Sequence, residues 1–155
     1  MKRRLAVVLL AVLLQGCAIR SFMTPPLHTS PPSHPNETHV LAETQRFAGM
    51  LGIKVKGVIT TKPHMVPASR PRFDGEKVPA AGYYIGGRIE FYRPVIQDPV
   101  GSGSCRAGEE LAYPTLLAAH ESCHAAYADR KESKAVEAQA SACARLLVAG
   151  EGCAR

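Results

Sequence analysis

His120, Glu121 and His124 stand in the order H-E-x-x-H, a spacing that can hold a metal ion and activate a water beside it. Along an α-helix, four residues turn about 40° past one revolution and rise roughly 6 Å, so both imidazoles leave from one face. Two neutral imidazole nitrogens converging there suit Zn²⁺. Glu121 follows the first histidine by one residue, which turns its carboxylate beside the ion rather than onto it. There it is a candidate general base, taking a proton from a water that the metal has made more acidic. A catalytic zinc takes three protein ligands and keeps one position open, so two histidines leave the set one short.

The elements around the motif have to supply the missing ligand and hold all three. Pro114 to Ala119 is helix-compatible, and Pro114 suits a first helical turn, where its missing N–H costs least. The longer pattern H-E-x-x-H-x-x-G-x-x-H is not met, because Tyr127 and Arg130 occupy its glycine and third-histidine positions. Further on, Glu137-Ala138-Gln139-Ala140-Ser141-Ala142-Cys143-Ala144, followed by Arg145-Leu146-Leu147, resembles the second signature of the gluzincin zinc peptidases, E-x-x-A-(N or D)-x-x-A. The small ImmA/IrrE-type enzymes and membrane-linked relatives carry that pattern. The resemblance covers mainly the last 40 residues or so, and it implies Glu137 as third zinc ligand beside His120 and His124, with Glu121 as base. It also implies a zincin-like minimal fold. Ser141 stands where the family has Asn or Asp to orient a ligating histidine, and a hydroxyl does this more weakly and with shorter reach.

Spacing sets a condition on that ligand set. Only 12 residues separate His124 from Glu137, and none is Gly or Pro. One unbroken helix would carry Glu137 about 20 Å from His124. The chain must therefore reverse near residues 127–133, and Asp129-Arg130-Lys131-Glu132 offers a capping box for the helix that follows.

The N-terminus adds a location. Lys2, Arg3 and Arg4 precede an apolar run from Leu5 to Leu14 that is too short to span a bilayer, as in a secretory signal. Leu14-Gln15-Gly16-Cys17 resembles the lipobox of bacterial lipoproteins, which implies removal of residues 1–16 and lipidation of Cys17. Ala18 stands where an inner-membrane retention signal would place aspartate, so the resemblance points to the outer membrane, facing the periplasm. Of 19 Lys and Arg, three lie in the signal, so 16 remain against 13 acidic residues. Without a basic run or basic residues interleaved with aromatics, nucleic-acid binding is not expected.

Cys105, Cys123, Cys143 and Cys153 remain after Cys17, and an even number in an exported chain favours two disulfides over a Cys/His metal site. Three pairings are open. Cys123 lies within the motif but is turned about 100° from His124 and about 60° from His120 around the helix, so it suits a tie to neighbouring structure.

Residues 17–35 hold five of the 12 prolines and read as a tether, with His28, His34 and nearby His39 as solvated linker residues. Residues 36–155 form the domain. A helix capped by Asn36 should bury Val40, Leu41, Thr44, Phe47, Ala48 and Leu51 and stop at Gly52. Ile53–Thr60 reads as a strand with Gly57 at a bulge, and Lys62–Pro79 as a proline-rich loop. Tyr83–Ile85 and Arg88–Tyr92, joined by Gly86-Gly87, read as a hairpin. Residues 94–113 read as a loop, and the last third as helical. The expected architecture is α+β, with helices on one face of a small antiparallel sheet of about three strands.

Together these residues predict a lipid-anchored zinc peptidase acting on a peptide or protein substrate of the cell envelope. Tyr113 and Tyr127 are candidates for stabilising the oxyanion. Tyr83 and Tyr84 could line an edge strand that pairs with an extended peptide. The competing expectation is a non-catalytic outer-membrane lipoprotein serving as a binding or structural module, and scattered tether histidines give a weaker third, metal scavenging.

Overall fold

Helix α1 (Pro35–Leu51) starts where proline pre-sets the first turn, and the chain before it supplies the cap. His34, rather than Asn36, is the N-cap: its Nδ1 accepts from the Asn36 N–H at 3.2 Å. Asn36 is buried instead and donates through Nδ2 to the Ile96 carbonyl. Glu37 reaches back to the Ser33 N–H at 2.6 Å, closing a second orphan donor near the helix start. At the other end Gly52 adopts φ 66°, and the N–H of Ile53 returns to Ala48 O, a left-handed cap that glycine adopts without a Cβ penalty. Val40, Thr44, Phe47 and Ala48 form the buried stripe between those ends.

These features belong to a computed structural model that describes residues 28–67, 76–98, 113–127 and 133–149. The expected signal and lipidated Cys17 lie outside the described residues, as do Cys105, Cys153 and Asp129–Glu132. After β1 (Thr29–Ser30) and α1 come β2 (Lys56–Thr60), β3 (Met65–Pro67), β4 (Lys77–Pro79), β5 (Gly82–Ile85) and β6 (Arg88–Tyr92). Helices α2 (Arg93–Gln97), α3 (Tyr113–Tyr127) and α4 (Lys134–Leu147) complete the order. The architecture is α+β.

The main sheet departs from the expected antiparallel three strands. Its order is β1-β2-β6-β5, with β2 and β6 parallel and the outer pairs antiparallel. Residues 61–81 explain this. That connection is long enough to carry the chain past the sheet and back, so the second arm of the hairpin, not the first, lies against β2. Ile89, Glu90 and Phe91 of β6 are buried in succession, as befits an inner strand. Part of the expected proline-rich loop forms the β3–β4 ribbon. Gly86 and Gly87, at φ 56° and 80°, make the expected hairpin turn.

Gly57 sits in regular register opposite Ile89, so no bulge forms there. A Cβ on it would meet Leu41 Cδ2 at 2.9 Å, and its bareness lets α1 settle on the sheet. Ile59, Ile89 and Phe91 share that face with Val40 and Phe47 of α1 and Ala118, Ala119 and Cys123 of α3. On the opposite face, Glu90 accepts from Arg88 Nε and meets His64 Nε2, each at 2.7 Å, while the His64 ring stacks on Tyr83. Two expectations for the N-terminal tether also change. Thr29 and Ser30 pair with Thr60 and Ile59, and His39 Nε2 lies 2.8 Å from Thr115 Oγ1, tying α1 to the start of α3.

Glu37 is fully buried and gathers Arg93 Nε at 2.9 Å and Gln97 Nε2 at 3.0 Å. Burial pushes its carboxyl pKa up, but the Ser33 N–H, the Arg93 guanidinium and Gln97 together outweigh this and hold it below the ordinary carboxylate value. Removing Arg93 leaves a buried charge short of its counter-ion, so Arg93→Ala should cost about 3 kcal/mol at neutral pH in urea denaturation. Because the folded pKa is the lower one, this stabilisation is present above the ordinary carboxylate range and lost as pH falls through the folded value. The gap between wild type and Arg93→Ala should therefore close in acid.

Candidate metal centre

Helix α3 rests on the sheet through β5 and β6 and on α1, which fixes the direction of its histidine face. Its buried residues include Thr115, Ala118, Ala119, Ser122 and Cys123. His124 lies in its last turn. Helix α4 begins at Ser133, whose Oγ accepts from the Val136 N–H at 3.2 Å, so the cap is Ser133 and not Asp129. Glu137 occupies the first turn of α4, where the helix N-terminus favours a carboxylate. The pairs His124/Glu137 and His120/Ser141 run in opposite order along the two helices, so α4 returns antiparallel to α3.

This return brings three donors to one point. His120 Nε2 lies 3.0 Å from His124 Nε2 and 3.2 Å from Glu137 Oε2, and His124 Nε2 lies 3.4 Å from Glu137 Oε1. Tetrahedral zinc with bonds of about 2.0–2.1 Å requires ligand atoms about 3.3 Å apart, and each of these separations is near that value, although the two from the carboxylate run from different oxygens. Among the described residues, this is the cluster of histidine, cysteine and carboxylate side chains able to hold a metal ion.

The electrostatics favour ligation. Burial lowers the His120 pKa, and the neighbouring His124 lowers it further, while Glu137 partly offsets both. The ring is therefore neutral near pH 7, as a metal ligand must be. Ser141 Oγ lies 3.5 Å from His120 Nδ1, the far limit of a hydrogen bond. With Nδ1 carrying the proton and donating to that hydroxyl, the Nε2 lone pair faces the other two donors.

Glu121 stands apart from the triangle. It is 6% exposed and presses on Gly82 of β5, where a Cβ would lie 2.6 Å from Glu121 Cγ and 2.9 Å from Oε1. Glycine at this point is what lets the strand come so close. Sequence reasoning found the hairpin but passed over Gly82, although an isolated glycine leading a strand is a signal of close approach. Among the described residues β5 pairs only with β6, and Glu121 lies against this terminal strand at Gly82. Tyr84 packs toward the core and Tyr83 stacks on His64, so both rings serve packing. Tyr113 opens α3, and Tyr127, 43% exposed, closes it.

Of the four candidate disulfide cysteines, Cys123 and Cys143 are bonded to each other, joining α3 to α4. Comparison with protein-family models, curated proteins and solved structures returns no match.

Gly82→Ala tests the contact between strand and carboxylate. The added methyl overlaps the Glu121 side chain near its base, so either β5 or Glu121 must move, at about 1–3 kcal/mol of folding stability in denaturant titration. Gly49→Ala, where a Cβ meets nothing within 4 Å on an exposed turn of α1, should show no such loss.

Proposed function

We propose that this chain is a zinc-dependent peptidase of gluzincin type with a zincin-like fold, anchored through Cys17 to the outer membrane and acting on peptide bonds in the cell envelope. The single observation that supports it most is the convergence of His120 Nε2, His124 Nε2 and the Glu137 carboxylate, with 3.0 Å between the two nitrogens, 3.2 Å from His120 Nε2 to Oε2 and 3.4 Å from His124 Nε2 to Oε1. The short interval before Glu137, which counts against a shared metal in the bare sequence, is spanned by the reversal between α3 and α4. Glu121, buried against Gly82 of β5, is the base in this reading.

Zinc, when bound, supplies Lewis acidity, making a water more acidic and a peptide carbonyl more electrophilic. Glu121 accepts the proton of the attacking water as its oxygen bonds to the carbonyl carbon. It then returns that proton to the amide nitrogen as the C–N bond breaks, so one carboxylate serves both halves of the reaction. Ser141 steadies the His120 ring. The outer side of β5, which no other strand pairs among the described residues, could offer backbone groups to an extended substrate that adds as a further strand near Glu121. From Cys17 to His28 the chain can extend at most about 40 Å, so the anchored domain works close to the bilayer.

The test is zinc content and peptide hydrolysis in the mature chain. Wild type should carry near-stoichiometric zinc. Glu137→Ala should lose it, and Glu121→Gln should keep it while hydrolysis falls by about 10²–10⁴-fold. A wild type that takes up no zinc would refute the proposal, and so would Glu121→Gln with undiminished hydrolysis.

A further inference from the structure

The disulfide lies at a telling place. Cys123 immediately precedes His124, and Cys143 sits six residues beyond Glu137, so a single bond ties the helix that carries two donors to the helix that carries the third. Its role depends on what else holds α4. Among the described elements α4 packs substantially against α3 alone. The buried residues within it are Ala140 and Ala144, with Val148 just past its end. Two methyl groups, one valine and the partly buried Cys143 and Leu147 make up its apolar contact, which is small beside that of α3. Glu137 itself is about half exposed, its side chain at 49%, so packing does not fix it.

Resting on the metal reading above, we propose that the Cys123–Cys143 disulfide is the positioning element for the third metal ligand, so that the redox state of this bond sets how many protein ligands the site presents. Oxidised, the site has His120, His124 and Glu137. Reduced, α4 swings free and the histidine pair on α3 remains, because α3 is held separately by α1 and the sheet.

A dithiol reductant performs the conversion. Its thiolate attacks the sulfur of Cys143, a partly exposed residue, whereas Cys123 is fully buried. The S–S bond breaks and Cys123 leaves as a thiolate that takes up a proton. The reductant's second thiol then attacks the mixed disulfide and releases Cys143 as a thiol. Two electrons and two protons pass to the protein, and the reductant departs as its own disulfide. Neither step requires the metal.

The experiment uses the full mature chain. Zn²⁺ affinity is measured by competition with a chromophoric chelator for wild type, Cys123→Ala/Cys143→Ala, Glu137→Ala and the triple variant. Amide hydrogen exchange is followed on the metal-free proteins. Loss of the disulfide should weaken zinc binding at least about 10-fold. It should not weaken it further once Glu137 is already alanine, since a bond that acts only by presenting Glu137 has nothing left to present. Exchange should accelerate in α4 and stay unchanged in α1 and α3. Cys105→Ala/Cys153→Ala should leave the α4 pattern as it is. Zinc affinity within twofold of wild type would overturn the inference, as would losses that multiply in the triple variant, or exchange that accelerates throughout the domain. A wild type without zinc but with the selective α4 response would sink the metal reading and leave the positioning role of the bond standing.

Discussion

The site depends on one constraint: a carboxylate thirteen positions beyond His124 has to come back to the same point in space, on a helix with almost no core of its own. A 14-residue helix is marginal in isolation, and two buried alanines contribute on the order of 1 kcal/mol each at most. Closing a loop of 20 residues by a disulfide contributes about 3 kcal/mol through the unfolded chain. The covalent bond therefore adds to a modest apolar contact a link that packing alone does not supply. Its position inside the motif makes it local to the donors.

The rest of the domain holds α3 still. The stripe of α1 and the inner faces of β2 and β6 make a continuous apolar layer, and α3 lies on it through alanines and Cys123. Small side chains let the helix sit low on the sheet, which brings Glu121 into contact with the backbone of β5 at Gly82. The buried Glu37 with Arg93 and Gln97 anchors the start of α1 to α2, far from the donors in sequence yet on the element that α3 leans against.

Much of this was legible in the chain, for reasons that can be named. The α1 stripe and its stop at Gly52 follow from helical periodicity and the left-handed preference of glycine, and Gly86-Gly87 announces its turn for the same reason. The donor pair is fixed by helix geometry alone. The cap at His34 was missed because histidine is not a favoured capping residue, and only the folded geometry shows its ring nitrogen turned onto the Asn36 N–H. The parallel pairing of β2 with β6 was missed because strand order is set by how a long connection packs, which periodicity does not record. The helix start at Ser133 lay four residues past the strongest apparent capping box, and a serine followed by Lys-Ala-Val gives a weaker local signal.

Anomalous diffraction at the zinc edge from crystals of the metal-loaded mature domain puts the central claim to the most direct test. The account predicts one strong peak about 2.0–2.1 Å from both His120 Nε2 and His124 Nε2 and about 2.0–2.2 Å from a Glu137 oxygen, with Glu121 outside bonding distance. A peak coordinated by other side chains, or none at this triangle at full zinc occupancy, would contradict it.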